Sequence, residues 1–316
     1  MQAFTSIAAL ASIDAPVHLA IGVFDGVHRG HQAVIESAVA SASEQGGVAV
    51  LVTFAPHPVR VLAPEKAPRM LSSHEHQLHL VEKLGMTRAL VIPFDRAFSQ
   101  LTGSEFVAQL VAHATQLASI HVGEDWCFGY QRSGNVSLLK AEGARHGFQV
   151  HGVRHITCDG ETVSSTLVRR ALEAGDLSRA SALLGRDFSL FGCVQLGRQL
   201  ARGLGFPTAN IPLSDFQLPP FGVYVSQVLI GDQSHGAIAN LGVRPTVEGE
   251  DARPLLEVHL FGFDGELYEQ SIEVTLLKHL REERRFDGLD ALKAQIVKDV
   301  VAAKSWLAEH SLEREA

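Results

Sequence analysis

The stretch from Ile21 to His31, IGVFDGVHRGH, constrains the fold more than any other part of the chain. Val17 to Phe24 has the β-branched and aromatic content of a buried strand, Asp25-Gly26 supplies a turn, and His31 opens a helical pattern. A strand that feeds directly into a helix leaves the free N–H groups and the positive dipole end of that helix at the tip of the strand. His28 and His31 are three apart and share one face of the first turn. Together with Gly22, Phe24, Asp25, Gly26 and Gly30, they read as a phosphate site. Two histidines at a helix start are also ordinary solvated caps; the preceding strand, the glycine and the FDG turn weigh against that.

The rest of the first half keeps the rhythm that this turn demands. Strand-like runs at 17–24, 48–54, 89–93, 119–123 and 149–153 alternate with helical stretches at 32–44, 73–84, 103–113 and 135–146. That is the pattern of a parallel α/β sheet, whose ligands sit at the carboxyl ends of its strands. From about Leu190 the pattern becomes short strands at 190–196, 222–230, 236–241, 255–263 and 271–277, followed by an amphipathic helix at 287–310. This spacing predicts an antiparallel barrel. Residues 167–184 read as helical and lead to a join at Leu184, so the expected domains are 1–184 and 185–316.

A length of 316 residues accommodates two such domains. The net charge of −8 argues against broad nucleic-acid binding, so any phosphate binding is local. Three scattered cysteines form neither a disulfide framework nor a zinc knuckle, which fits a reducing cytoplasm. Neither a leader-like N-terminus nor a long apolar run argues for secretion or membrane insertion.

Other stretches carry weaker chemical signals. In TFAPHP, two prolines bracket His57 behind Thr53; alone this reads more readily as a stiff connection than as a site. In GEDWCFG, Asp125 lies past a strand beside Trp126 and Phe128, which suit either stacking on a planar ring or plugging a core. Asn135 is placed to cap the next helix. Ser164, Ser165 and Thr166 stand at a helix start, with Arg169 one turn on; the group is either a plain N-cap or, with the upstream histidines, a polyphosphate clamp. His74, His76 and His79 read as an exposed helix in preference to a metal site, and Arg281, Arg284 and Arg285 as a solvated helix start.

In the second half, GFPTANI presents Thr208 and Asn210 after Pro207, two hard oxygen donors of the kind Mg²⁺ takes, among glycines that admit phosphate. LLEVHLF alternates with period two, placing Glu257, His259 and Phe261 on one face and Leu256, Val258 and Leu260 on the other. A carboxylate at Glu257 is either a general base or a solvated outer residue.

HxGH after a strand is the signature of the nucleotidylyltransferase superfamily. Taken with TFAPHP, GEDWCFG, SSTLVR, GFPTANI, GVYV, NLGVRPTV, LLEVHLFGF and REERRF, the chain resembles the bacterial bifunctional riboflavin kinase/FAD synthetase family over nearly its whole length. The resemblance implies a nucleotidylyltransferase-type, Rossmann-like parallel sheet followed by an antiparallel riboflavin kinase barrel with a C-terminal helix. It implies that His28 and His31 bind ATP phosphates, that Ser164, Ser165 and Arg169 complete that site, and that Asp125 lies near flavin or metal. In the barrel it implies Mg²⁺ on Thr208 and Asn210, phosphate contacts at Gly197, Arg202 and Gly205, Glu257 as the base, and Arg281 and Phe286 bordering the flavin. Ala201, Gly262 and Glu269 depart from the commonest pattern without removing a proposed catalytic group.

The expected function is phosphorylation of riboflavin to FMN and adenylylation of FMN to FAD, with ATP and Mg²⁺ at each site and self-association open. One alternative keeps only adenylylation, with the barrel as a flavin-binding module. Another is a non-catalytic flavin sensor.

Overall fold

The computed structural model describes residues 1–196, 205–213, 215–231, 233–243 and 253–310. Its contacts divide the chain into two compact units, Met1–Arg69 with His74–Ser165, and Met70–Ser73 with the chain from Thr166 onward.

The first unit is built on a six-stranded, all-parallel sheet. Its strands are β1 (Gln2–Phe4), β2 (Val17–Ile21), β3 (Val48–Ala55), β4 (Arg88–Pro93), β5 (Leu117–Gly123) and β6 (Gln149–Val153), in the spatial order β1-β4-β3-β2-β5-β6. The interleaved helices are α1 (Arg29–Gln45), α2 (Pro58–Leu62), α3 (His74–Lys83), α4 (Gly103–His113) and α5 (Val136–His146). Every residue of β2 is buried, His18 among four apolar residues, as befits a central parallel strand covered on both faces. Leu19, Ile21, Val50, Val52, Phe106 and Leu110 pack one face; Ala20, Leu51, Ile35, Ala38, Val81 and Met86 pack the other. β2 lies between β3 and β5, so the chain order reverses at β2 and opens the crevice in which such sheets bind ligands. A small hairpin, β7 (Thr157–Cys158) with β8 (Glu161–Thr162), follows β6.

The second unit contains α6 (Ser165–Glu173, from Thr166 on), α7 (Leu177–Leu184) and an antiparallel sheet ordered β10-β13-β12-β11-β14-β9. The strands are β9 (Ser189–Cys193), β10 (Ala209–Pro212), β11 (Gly222–Ile230), β12 (Gln233–Val243), β13 (Pro254–Leu260) and β14 (Ser271–Arg281). The Gln195 N–H donates to the Asn210 carbonyl at 2.8 Å, drawing the β9 and β10 ends of the sheet together into a nearly closed barrel. A C-terminal helix, α8 (Leu289–His310), lays Ala303, Trp306 and Leu307 over Val223, Val225 and Ile238.

Most expected elements form within a few residues of their expected bounds. The helix expected at 167–184 is two helices: the chain turns at Gly175, whose φ is 75°, and Asp176 caps α7 by accepting from the Arg179 N–H at 2.8 Å. β1 and β10 are strands that periodicity does not reveal. No described helix is long and apolar enough to cross a membrane.

Candidate active sites

In the first unit, the backbone of the turn after β2 creates the site. Phe24, Gly26 and Val27 have φ values of 55°, 79° and 43°, a region that a β-branched residue such as Val27 enters only at a cost. Tertiary contacts hold the turn in place. Phe24 and Val27 are buried in the core, Gln77 donates to the Val23 carbonyl at 2.6 Å, Thr53 donates to the same oxygen at 3.2 Å, and Gln32 donates to the Val27 carbonyl at 2.9 Å. Gly22 ties the end of β2 to β3 through its N–H and the Val52 carbonyl, at 3.1 Å.

This turn delivers His28 as the N-cap of α1. Its Nδ1 accepts the His31 N–H at 3.3 Å, so in the neutral ring the proton resides on Nε2. The His28 and His31 rings stack at 3.6 Å with 17° between their planes, and Phe24 meets His31 edge-on at 5.3 Å. A Cβ at Gly30 would come within 3.2 Å of the His28 ring and 3.7 Å of the Val163 carbonyl, so glycine lets the segment before α6 approach the turn. Ser165 closes this arrangement by donating to the Asp25 carbonyl at 3.0 Å. Asp25 is buried, Ser164 precedes Ser165, and Thr166 and Arg169 follow on α6.

The other expected residues of this half are more scattered. Thr53 lies inside β3, fully buried, and His57 caps α2 by accepting the Val59 N–H at 3.2 Å. Asp125 is exposed and pairs with His155 at 3.5 Å, while Trp126 and Phe128 stack on each other at 4.4 Å against the core. Asn135 caps α5 as expected, accepting from the Leu138 N–H at 2.9 Å. The exposed helix expected around His74, His76 and His79 is corrected: His76 and Gln77 are buried, because the first turn of α3 packs under the histidine turn, where Gln77 holds Val23.

A buried polar chain beneath α1 has no counterpart in the sequence reading. His18 Nδ1 meets Ser119 Oγ at 2.7 Å, Ser119 Oγ meets His121 Nε2 at 2.7 Å, and His121 Nδ1 meets Ser37 Oγ of α1 at 2.8 Å. His151 stacks on His121 at 4.4 Å. Burial, and then the neighbouring His151 and His18, push His121 down to about 3; burial and His151 lower His18 as well.

In the second unit, strand register creates the site. Residues facing each other across antiparallel strands point to the same side of the sheet. Glu257 on β13 faces Asn210 on β10 and Asn240 on β12, Asn240 faces Val223 on β11, and Val223 faces Arg281 on β14. One row across five strands therefore carries Asn210, Glu257, Asn240, Val223 and Arg281. The last four line a cleft of about 340 Å³, roofed on its apolar side by Phe286, Leu292 and Ile296. The opposite face of β13 buries Leu256, Val258 and Leu260, so Glu257 lies in a cleft and not on a solvated outer surface.

Thr208 lines this cleft and also a second one of about 230 Å³ bordered by Val194, Asp264, Glu266 and Tyr268. His259 Nδ1 donates to the Pro207 carbonyl at 2.9 Å and holds the approach to Thr208. Asn210 Nδ2 donates to the Thr208 carbonyl at 3.2 Å, leaving Oδ1 as the available amide atom. A threonine hydroxyl and an amide oxygen are hard donors suited to Mg²⁺.

Arg281 ends β14 instead of opening a solvated helix, a correction of the sequence expectation. Its guanidinium donates to both oxygens of the buried Asp299 on α8, at 2.8 to 3.2 Å, and lies 5.7 Å from the Phe286 ring centre. Gly205 is exposed with φ 92°. Gly197 and Arg202, expected at phosphate, lie outside the described residues. Asn240, Glu283 and Asp299 are the residues that sequence reasoning missed; NLGVRPTV and REERRF carry two of them, but only strand pairing shows that they meet.

The two halves match two family models, one described as FAD synthetase over residues 11–167 and one described as riboflavin kinase over residues 184–307. The bifunctional riboflavin kinase/FMN adenylyltransferase of Pseudomonas fluorescens is 42% identical over 285 residues, covering 90% of this chain and 91% of that protein. Its Escherichia coli K12 counterpart is 38% identical over 289 residues, covering 91% and 92%. A Streptococcus pneumoniae crystal structure described as a macrolide-efflux protein superposes with a TM-score of 0.79 at 28% identity, over 97% of this chain and 100% of that one. With two domain matches in order and relatives aligned over nine-tenths or more of both chains, the chain belongs to the bifunctional riboflavin kinase/FMN adenylyltransferase family.

Proposed function

We propose that the two reactions of this family, riboflavin to FMN and FMN to FAD, are divided between the register-built cleft and the histidine turn. The observation that carries the division is that each unit holds its own polar constellation, with stacked imidazoles at a helix N-terminus in one and a strand-mounted carboxylate in the other.

At the turn, an FMN phosphate oxygen attacks the α-phosphorus of ATP and pyrophosphate leaves. No covalent intermediate is needed, so the task is alignment and charge neutralisation. His28 Nε2–H, His31 and the first N–H groups of α1 serve as donors to the phosphates, and the rigid turn supplies them without reorganisation. Ser164, Ser165, Thr166 and Arg169 complete the phosphate grip, and Asp125 and His57 border the acceptor.

In the cleft, Glu257 takes the proton from the 5′-hydroxyl of riboflavin as that oxygen attacks the γ-phosphorus of ATP, and ADP leaves. General-base help of this kind contributes roughly 10²- to 10⁴-fold. Thr208 Oγ1 and Asn210 Oδ1 would hold Mg²⁺, which screens phosphate charge when bound. Thr208 borders both clefts, so nucleotide in the smaller and flavin in the larger would meet beside it. Arg281 and Phe286 flank the ring, and Gly197, Arg202 and Gly205 serve phosphate.

Incubation with riboflavin and MgATP, followed by chromatography, tests the division. FMN and FAD are both expected. FAD formed only from supplied FMN would leave the barrel as a binding module.

A further inference from the structure

Resting on the reading of the histidine turn as the site of adenylyl transfer, we propose that Gln77 is a positioning residue for that reaction. With Thr53 it locks the Val23–Phe24 peptide so that the carbonyl stays turned away from the ATP phosphates. The first observation is an amide where packing alone would favour a hydrocarbon. Gln77 is 6% exposed on α3, whose Leu80 and Val81 pack in the same apolar cluster as Phe24 and Val27. A buried side-chain amide needs a partner, and Gln77 Nε2 donates to the Val23 carbonyl at 2.6 Å. Thr53 Oγ1 reaches the same oxygen from β3, at 3.2 Å.

Two side-chain donors from two separate elements engage both lone pairs of one carbonyl and fix the plane of its peptide. That peptide is trans, so its N–H, which belongs to Phe24, points away from the carbonyl and thus away from α3 and β3. The proposal puts the ATP phosphates on the N–H side, where a donor attracts and a carbonyl oxygen would repel. The lock is needed because the backbone has a reason to turn over. Rotating this peptide changes ψ of Val23 and φ of Phe24, and Phe24 stands at φ 55°, which a phenylalanine holds only at a cost. Half a rotation would carry that φ to a negative value, relieving the strain and bringing the oxygen round to the phosphates. Ser165 on the Asp25 carbonyl and Gln32 on the Val27 carbonyl hold later peptides of the turn and do not restrain this one.

The test separates the donor from the packing in the full-length protein. Gln77→Met keeps the length of the side chain and removes its donor; Gln77→Lys supplies a donor at similar length. The kcat for FAD formation from FMN should fall about tenfold in Gln77→Met, the scale of one lost buried hydrogen bond, and stay within about threefold of the parent in Gln77→Lys. FMN formation from riboflavin should be unchanged in both. A packing role predicts the opposite order, since methionine suits an apolar site better than an ammonium does. Full activity in Gln77→Met, or a loss in Gln77→Lys as large as that in Gln77→Met, overturns the proposal. Thr53→Val and Thr53→Ser repeat the comparison from β3 and decide it if Gln77→Met does not fold: valine should lose about threefold relative to serine, the bond being longer, and equal activity overturns the proposal. His31→Ala separates this from the underlying reading, because normal FAD formation by that variant would overturn the assignment of the turn itself.

Discussion

The histidine turn and the barrel cleft, which the proposed function gives the same task of holding two reacting groups in line, are built by opposite means. At the turn, the two histidines are close neighbours in sequence, and a backbone forced into positive φ at Phe24, Gly26 and Val27 aims them, with Ser165 joining from far along the chain. In the cleft, Glu257, Asn240, Val223 and Arg281 come from four strands and are aimed mainly by pairing, with a register shift after Val223 and with Asp299 holding the Arg281 guanidinium. A site of the first kind is sensitive to any change in the turn that holds it. A site of the second kind is sensitive to the single group placed in register, and tolerant of changes that keep the register.

The sharpest way to break this contrast is Glu257→Gln. FMN formation should fall by about 10²- to 10⁴-fold while adenylylation of supplied FMN persists. His31→Ala should do the reverse, with FAD formation from FMN cut by about 100-fold and FMN formation unchanged. Loss of both reactions in either variant would mean that the sites are not independent.

A smaller effect is expected from Asp299→Asn. Arg281 would lose the charge and one of the two acceptor oxygens of its partner, and the cost should be about 1–3 kcal/mol. Calorimetry should show a lower melting temperature, and riboflavin KM should rise with the adenylylation rate untouched.

The effect with the smallest bearing on turnover concerns pH. His121 is held neutral in the fold, down to about 3, whereas in the unfolded chain it titrates near its ordinary value of about 6.5. The unfolded state therefore binds the extra proton between those values, and stability declines as pH falls from about 6.5, by at most ~1.4 kcal/mol per unit for this group. His18 adds in the same direction. Melting curves at pH 7 and pH 5 should show the decline, and His121→Asn should flatten it. A pH-independent melting temperature would remove the buried chain from this account.

The same contrast explains what was legible in the sequence. The parallel strands show themselves because β2 is buried on both faces and is apolar at every position but His18. HxGH shows itself because its residues lie within one turn. β10 stays hidden because Pro207, Thr208 and Asn210 carry turn chemistry locally, and only pairing with β13 makes 209–212 a strand. Asn240 and Glu283 are ordinary polar residues until β12, β13 and the segment after β14 are brought together. The three histidines of α3 look solvated in sequence because the turn this helix packs against, held by Gln77 at the Val23 carbonyl, lies 54 residues upstream.

The hydrogen bond from Ser37 to His121 has a consequence for precision. Ser37 is six residues beyond His31 on α1, or about 9 Å along its axis, and His121 is anchored in the central sheet. The helix is thus pinned at mid-length to the rigid floor as well as at its first turn, like a beam fixed at two points. Rolling of α1, which would swing both imidazoles sideways together, is resisted far from the chemistry. Substitutions at Ser37 or His121 would accordingly register as misalignment, with turnover falling more than nucleotide affinity.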